Sequence, residues 1–307
     1  MAVMKLGEFM NRVKSELVEG IVETIFETDP IHYLMPWTGY AGDGVIVDAE
    51  SSMGDSDFYG LDAEITSKNP STTQPATYTA TRIIGDAELD GKQVAESESS
   101  PNKIMAMEVK SKAKSVGMKL QKGMVQGDGV DPNMSSTHTQ TDAGQYIAST
   151  GSILHDLDTL GQLVASKNGF VDFYMLNGIQ MVKLRDAYRA SGGVPMIELT
   201  SGNRTIKVVD FNGIPCFTNN FLKQTETAAG AALTGGNLSS IYAGNFDDGT
   251  RKVGVSFIHP VKTPAGIVIE DVGTKETKDQ KIIRVKLYVN FVNFNKFGLA
   301  RLTDCAA

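Results

Sequence analysis

Apolar residues Leu6, Phe9, Met10, Val13, Leu17, Ile21, Ile25 and Phe26 recur at mostly helical spacing. They predict a short amphipathic helix over residues 3–28, broken by Asp29 and Pro30. The pattern then becomes extended. Residues 45–90 read as two arms, one opening with Val45, Ile46 and Val47, the other over 76–84, joined by a polar stretch from Thr66 to Pro75. Gly54 and Gly60 punctuate the first arm. On the second, Tyr78, Ala80, Arg82 and Ile84 share one face, and Thr77, Thr79, Thr81 and Ile83 the other. Arms of about 15 residues reach roughly 50 Å at most. Little apolar surface accompanies that reach, and an isolated two-stranded ribbon is marginal in water. The pattern predicts support from a neighbouring subunit.

Residues 101–126 predict one long helix. Ser100 is placed to cap it, Pro101 suits its first position, and Gly127 and Gly129 stop it. Its apolar stripe runs through Ile104, Met107, Ala113 or Lys114, Val116, Leu120 and Met124. Past residue 150 the pattern is mixed. Ile153, Leu157, Leu160 and Val164 mark a helix, 170–176 a strand, and Asn177 caps a helix carrying Met181, Leu184 and Tyr188. Residues 205–220 read as two strands across the Asn212–Gly213 turn. Strands follow at 239–246 and 253–258, then a hairpin of 266–272 with 281–294. The longer hairpin strand alternates, with Ile283, Val285, Leu287, Val289 and Phe291 on one face. The fold class is α+β.

Composition sharpens this picture. The chain has 307 residues, 41% hydrophobic, so a packed core is expected rather than disorder. A net charge of −7 argues against a surface built throughout for nucleic acid. The long helix departs from that balance. It carries Lys103, Lys110, Lys112, Lys114, Lys119 and Lys122 against Glu108 alone. Two readings stand: a solvated face, or a surface through Lys103, Lys110, Lys114 and Lys122 that neutralises packaged phosphate without reading sequence. No aromatic residues interleave for base stacking. The two cysteines, Cys216 and Cys305, have no metal or redox spacing, and a reducing compartment is expected. No run of about 18 apolar residues predicts a membrane span, and no secretory signal core is seen at the N-terminus.

Catalytic patterns are missing. No nucleophile elbow, phosphate loop or dinucleotide fingerprint occurs. His155, Asp156 and Asp158 sit too close in sequence to converge from one helix, and read as its polar face. The stretch 128–133 lacks the ligand alternation of a calcium loop. Neither a catalytic residue nor a metal or cofactor site is predicted. A hydrolase of unfamiliar fold is the alternative of a different class, and would need a polar pocket with converging titratable groups.

The order of elements resembles the major capsid protein family of tailed bacteriophages, with its Hong Kong 97-type fold. The resemblance is carried by the arms at 45–90, the helix at 101–126, FYMLNGIQMVKLRDA at 173–187, GIPCFTN at 213–219 and IYAGNFDD at 241–248. It implies an N-terminal arm (1–44), an extended loop (45–90), a peripheral domain (91–150 and 246–307) around a spine helix, and an axial domain (151–245). It implies a structural virion subunit, made in the host cytoplasm, that assembles with itself as hexamers and pentamers into an icosahedral shell around double-stranded DNA. The loop, through Lys68, Asn69, Pro70 and Tyr78, would lie over a neighbour. A separate scaffolding protein (or trimming of a precursor), a portal and decoration proteins are the further partners such a family implies. Covalent cross-linking through Lys68 or Asn69 is not expected. An encapsulin-like nanocompartment shell is the related alternative.

Overall fold

A computed structural model describes residues 31–52, 56–66, 72–92, 101–168, 170–201, 204–263, 266–274 and 278–306. The helix expected at 3–28 and the loop residues Lys68, Asn69 and Pro70 lie outside the described residues.

The long helix, α1, spans Pro101–Gln126, the bounds its pattern predicts. Its interior is rich in Ala, Met, Lys and Gln, all strong helix formers. Gly127 ends it where an added Cβ would run into the Met134 carbonyl. The predicted stripe needs one correction. Met107 is 67% exposed, whereas Met105, Val109, Ala113, Val116, Leu120 and Met124 are buried. Steps of three and four from Met105 hold one face, and Met107 falls about 200° away from it.

Beneath α1 lies a five-stranded sheet of β1 (Trp37–Tyr40), β4 (Thr81–Asp90), β11 (Val255–Pro260), β12 (Ile267–Thr274) and β13 (Gln280–Asn293). Strand β13 organises it. It pairs antiparallel with β12 and β4 along most of its length, then with β11 over its last four residues. Val285, Leu287, Val289 and Phe291 of β13 are fully buried and share one core with the stripe of α1, as alternation predicts. Arg284 and Asp86 face each other across β13 and β4, joined by two hydrogen bonds of 2.7 and 2.9 Å.

The second sheet has seven strands. Their order is β5 (Tyr146–Ala148), β14 (Leu299–Ala306), β10 (Leu238–Gly244), β6 (Phe173–Leu176), β9 (Ile214–Thr218), β8 (Arg204–Phe211) and β7 (Met196–Ser201). Helices α2 (Ile153–Asn168) and α3 (Gly178–Ala190) pack on it through Leu157, Leu160, Val164, Met181 and Leu184. Asn177 caps α3 as expected, its side-chain oxygen accepting from the Gln180 N–H at 2.8 Å. Asn212 and Gly213 take φ of +54° and +84°, the positive values that a tight hairpin turn needs. Strands β5 and β14 carry residues 146–148 and 299–306 into this sheet, across the sequence-drawn boundaries at 150 and 246.

The remaining pair, β2 (Val45–Ser52) and β3 (Thr72–Tyr78), forms an antiparallel ribbon of its own. The second arm predicted over 76–84 is therefore split. The ribbon ends at Tyr78, and β4 starts at Thr81 on β13. Ile83, Ala87 and Leu89 have the main core to enter, and Thr77 and Thr79 have none.

Candidate functional site: a projecting ribbon and a lysine-bearing helix

The base of the ribbon is fixed to its own chain. Val45 and Val47 are buried among Tyr40, Ile258, Val292 and Phe294, with Tyr78 and Ala80 packed alongside. Tyr78, expected on the intersubunit loop, thus belongs to the base. Three hydrogen bonds hold the exit: Ala80 N–H donates to Tyr40 Oη (2.9 Å), Asn290 Nδ2 to the Thr79 carbonyl (2.7 Å), and Thr81 Oγ1 to the Val289 carbonyl (2.8 Å). At the entrance, a Cβ on Gly44 would stand 2.8 Å from the Tyr78 carbonyl, so only glycine admits this backbone approach.

The tip is the opposite case. Every residue from 56 to 66 is exposed, and Phe58 and Leu61 are fully so. Ile65 of the tip and Ile46 of the first arm are exposed as well. A turn joins Gly60 to Ala63, and Tyr59 Oη accepts from the Thr66 N–H at 3.0 Å. Each large apolar side chain gains about 1.5–3 kcal/mol on burial. A cluster of them left in water marks a surface meant for a partner. The same segment carries Asp57, Asp62 and Glu64 and no Lys or Arg.

The lysines of α1 do not form one stripe. At about 100° per residue, Lys103, Lys110 and Lys114 fall within about 40° of one another. Lys112, Lys119 and Lys122 lie about 80–160° away from that group. Lys110, Lys114, Lys119 and Lys122 are exposed, and Lys112 is half-buried. Gly85 lets this second flank lie close to β4, since a Cβ there would sit 3.3 Å from Val116 Cγ2. A groove of 560 Å³ opens beside it, lined by Arg82, Ile84, Lys119 and Lys122, with no carboxylate among the described residues that line it.

No family model matches the chain, and no curated relative matches it by sequence. Solved structures do match. The holo-SrpI encapsulin complex from Synechococcus elongatus PCC 7942 aligns over 89% of this chain and 86% of its own, at 13% identity and a TM-score of 0.63. The capsid of the native GTA particle aligns over 88% of both chains, at 12% identity and 0.58. The virus-like particle from Pyrococcus furiosus covers 94% of this chain and 97% of its own, at 10% identity and 0.55. The chain has the Hong Kong 97-type fold. Coverage of 86–97% in both directions means that this fold accounts for most of the chain, and the α+β reading stands.

Within the Hong Kong 97-type fold, the polar groups weighed for chemistry serve structure. Asp156 is not on a solvated face. It is buried, and accepts from Ser149 Oγ (2.5 Å), Thr150 Oγ1 (2.6 Å) and Thr150 N–H (3.0 Å), which organises the turn before α2. His155 is exposed, and Asp158 accepts from Asn212 Nδ2 at 2.9 Å, so the three do not converge. Asp128 closes a turn by accepting from Val130 N–H and Asn133 Nδ2. Among the described residues no three His, Cys, Asp or Glu side chains gather as metal ligands. Both cysteines are buried, which pushes each thiol up to about 12 and keeps it protonated. Among the described residues, no helix is long and apolar enough to cross a membrane.

One cluster escaped the sequence reading. Arg301 of β14 is fully buried and pairs with Glu226 at 2.9 Å. Its Nε donates to Ser240 Oγ at 2.9 Å, and its guanidinium lies 5.3 Å from the centre of the Tyr146 ring and 5.8 Å from that of Tyr242. Gly230, at φ +62°, leaves room for the guanidinium where any Cβ would collide with it. This network ties the loop around 226–230 to the second sheet. Partners 75 residues apart leave no local signal.

Proposed function

We propose that this chain is the shell subunit of an icosahedral viral capsid, closing as hexamers and pentamers around double-stranded DNA. The observation that carries this reading is the ribbon, whose base is seated on its own chain while its tip over 56–66 has no cover. Such a tip becomes stable on another molecule, and a fold that recurs in an encapsulin, a GTA capsid and a virus-like particle points to identical copies as that molecule. The contact joins two different patches, so copies add head to tail and close into rings. The role is structural and needs no catalytic step. Lys110 and Lys114, exposed on one flank of α1, would face the lumen and neutralise phosphate without reading sequence. Domain roles follow the same reading: the α1 sheet peripheral, the seven-stranded sheet axial.

A second reading, a nanocompartment shell around a protein cargo, is favoured by the TM-score of 0.63 to the encapsulin complex. Neighbouring genes divide the two: a portal and packaging motor for the capsid, a single cargo enzyme for the compartment. The shell role itself is tested by negative-stain microscopy and light scattering of the purified protein. Hollow particles or capsomers are expected, and a strictly monomeric species under assembly conditions overturns it.

A further inference from the structure

We infer that Asn212–Gly213 is a self-modification site: Asn212 deamidates there, and the carboxylate it becomes parts the β8–β9 turn from α2. The two residues form the whole turn, since Phe211 and Ile214 on either side of them are paired. Both are exposed, at φ of +54° and +84°. Nothing beyond the neighbouring residues comes within 4 Å of the point where a Gly213 Cβ would stand, so the turn is open on that side. Asn212 Nδ2 donates to Asp158 Oδ1 at 2.9 Å, an exposed bond that restrains the amide without locking it. Asn177–Gly178 is the same dipeptide in the opposite setting. Asn177 is fully buried, its Oδ1 accepts from the Gln180 N–H, its Nδ2 donates to Ser239 Oγ, and Gly178 opens α3. A third such pair, Asn168–Gly169, closes α2, with Gly169 outside the described residues.

The chemistry consumes only water. The Gly213 backbone nitrogen attacks Asn212 Cγ, and the new C–N bond closes a succinimide ring. The Gly213 N–H proton passes to the departing amide nitrogen, which leaves as ammonia. Glycine favours this step, because no side chain crowds the attacking nitrogen. Water then opens one of the two imide C–N bonds. One cut restores the ordinary backbone with aspartate at 212, and the other leaves isoaspartate, with an extra methylene in the main chain. Nothing is oxidised or reduced. Either product sets a carboxylate opposite Asp158 where an N–H donor stood, so a hydrogen bond is lost and two like charges face each other. Isoaspartate also lengthens a turn that keeps Phe211 and Ile214 in register. Asn177 is spared, because its amide is held at both ends and water does not reach it.

Peptide mapping by mass spectrometry tests the site on the purified full chain, held at neutral pH for weeks and sampled through time. Aspartate and isoaspartate are expected at 212, the latter confirmed with an isoaspartyl methyltransferase, while Asn177 stays intact. No conversion at 212, or conversion at 177 first, overturns the inference. The consequence is tested with Asn212→Asp, which mimics one product. Hydrogen exchange at the end of the β8–β9 pair and in α2 around Asp158 should rise by about fivefold, the loss of one ordinary hydrogen bond. Adding Asp158→Asn exchanges donor and acceptor, and should return exchange to that of the unmodified chain. Unchanged exchange in Asn212→Asp overturns the inference, as does a double variant that stays loosened. Should the mimic fail to fold, exchange of the aged chain against the fresh one reads the same effect. None of these measurements depends on particles, so the inference stands or falls apart from the shell reading.

Discussion

Asn290 holds Thr79: its side-chain nitrogen donates to the Thr79 carbonyl at 2.7 Å, at the point where the ribbon returns to the body of the protein. The Asn290 side-chain oxygen accepts from the Ser135 N–H at 2.8 Å, in the loop after α1. One buried amide therefore links the central strand, the ribbon exit and the loop that follows the spine helix. Asn290→Leu leaves the buried Ser135 N–H without this partner, at about 1–3 kcal/mol, and frees the part-buried Thr79 carbonyl to water. Urea unfolding should report that loss. Hydrogen exchange should rise around residues 76–81 before it rises in β13, and uniform protection there would contradict the anchoring role.

The tip should behave in the opposite way. Phe58→Ser with Leu61→Ser removes side chains that are fully exposed in the subunit, so subunit stability should stay within about 0.5 kcal/mol. Particle yield and the thermal resistance of particles should both fall. Equal particle yield with unchanged melting would show that the tip braces nothing.

Glu226→Ala strands a fully buried guanidinium. Removing one partner of a buried pair costs about 3–5 kcal/mol, mainly as uncompensated charge. Chemical denaturation measures it, and limited proteolysis should open the loop around 226–230. A loss under about 1 kcal/mol would mean that water reaches Arg301 easily.

Acid should weaken the subunit through His32. Burial holds its imidazole down to about 3, against 6.5 for an ordinary histidine. The unfolded chain therefore takes up the proton first as pH falls below 6.5. Stability is complete above that value and is lost as pH drops toward 3. Between pH 7 and pH 5 the loss amounts to about 2 kcal/mol from this one group. His138 and His259, also lowered chiefly by burial, add in the same direction. Urea unfolding at both pH values checks this, and His32→Gln should flatten the dependence. An unchanged slope in that variant would remove His32 as its source.

Much of the fold was legible in residue patterns. The bounds of α1 follow from Pro101 and Gly127, the cap of α3 from Asn177, and the burial of Val285, Leu287 and Val289 on β13 from alternation, which fails at Ile282 and Ile283 and over the last residues, where both faces are buried. Each rests on neighbours within one turn or one pleat. Candidate surfaces were legible only as ingredients. Six lysines on one helix looked like a single basic rod until the turn angle and the approach of β4 at Gly85 split them into two flanks.

Sequence alone determined that this chain carries a long extended segment with little of its own to cover it, a long helix, and a β-rich remainder. These are local matters of periodicity, glycine and proline. Tertiary structure alone decided that the second arm breaks at Thr79, that β5 and β14 join the far sheet, and that Arg301 meets Glu226. Strand partners and buried ion pairs are chosen by which distant surfaces exclude water together, and that choice is made only when the whole chain has collapsed.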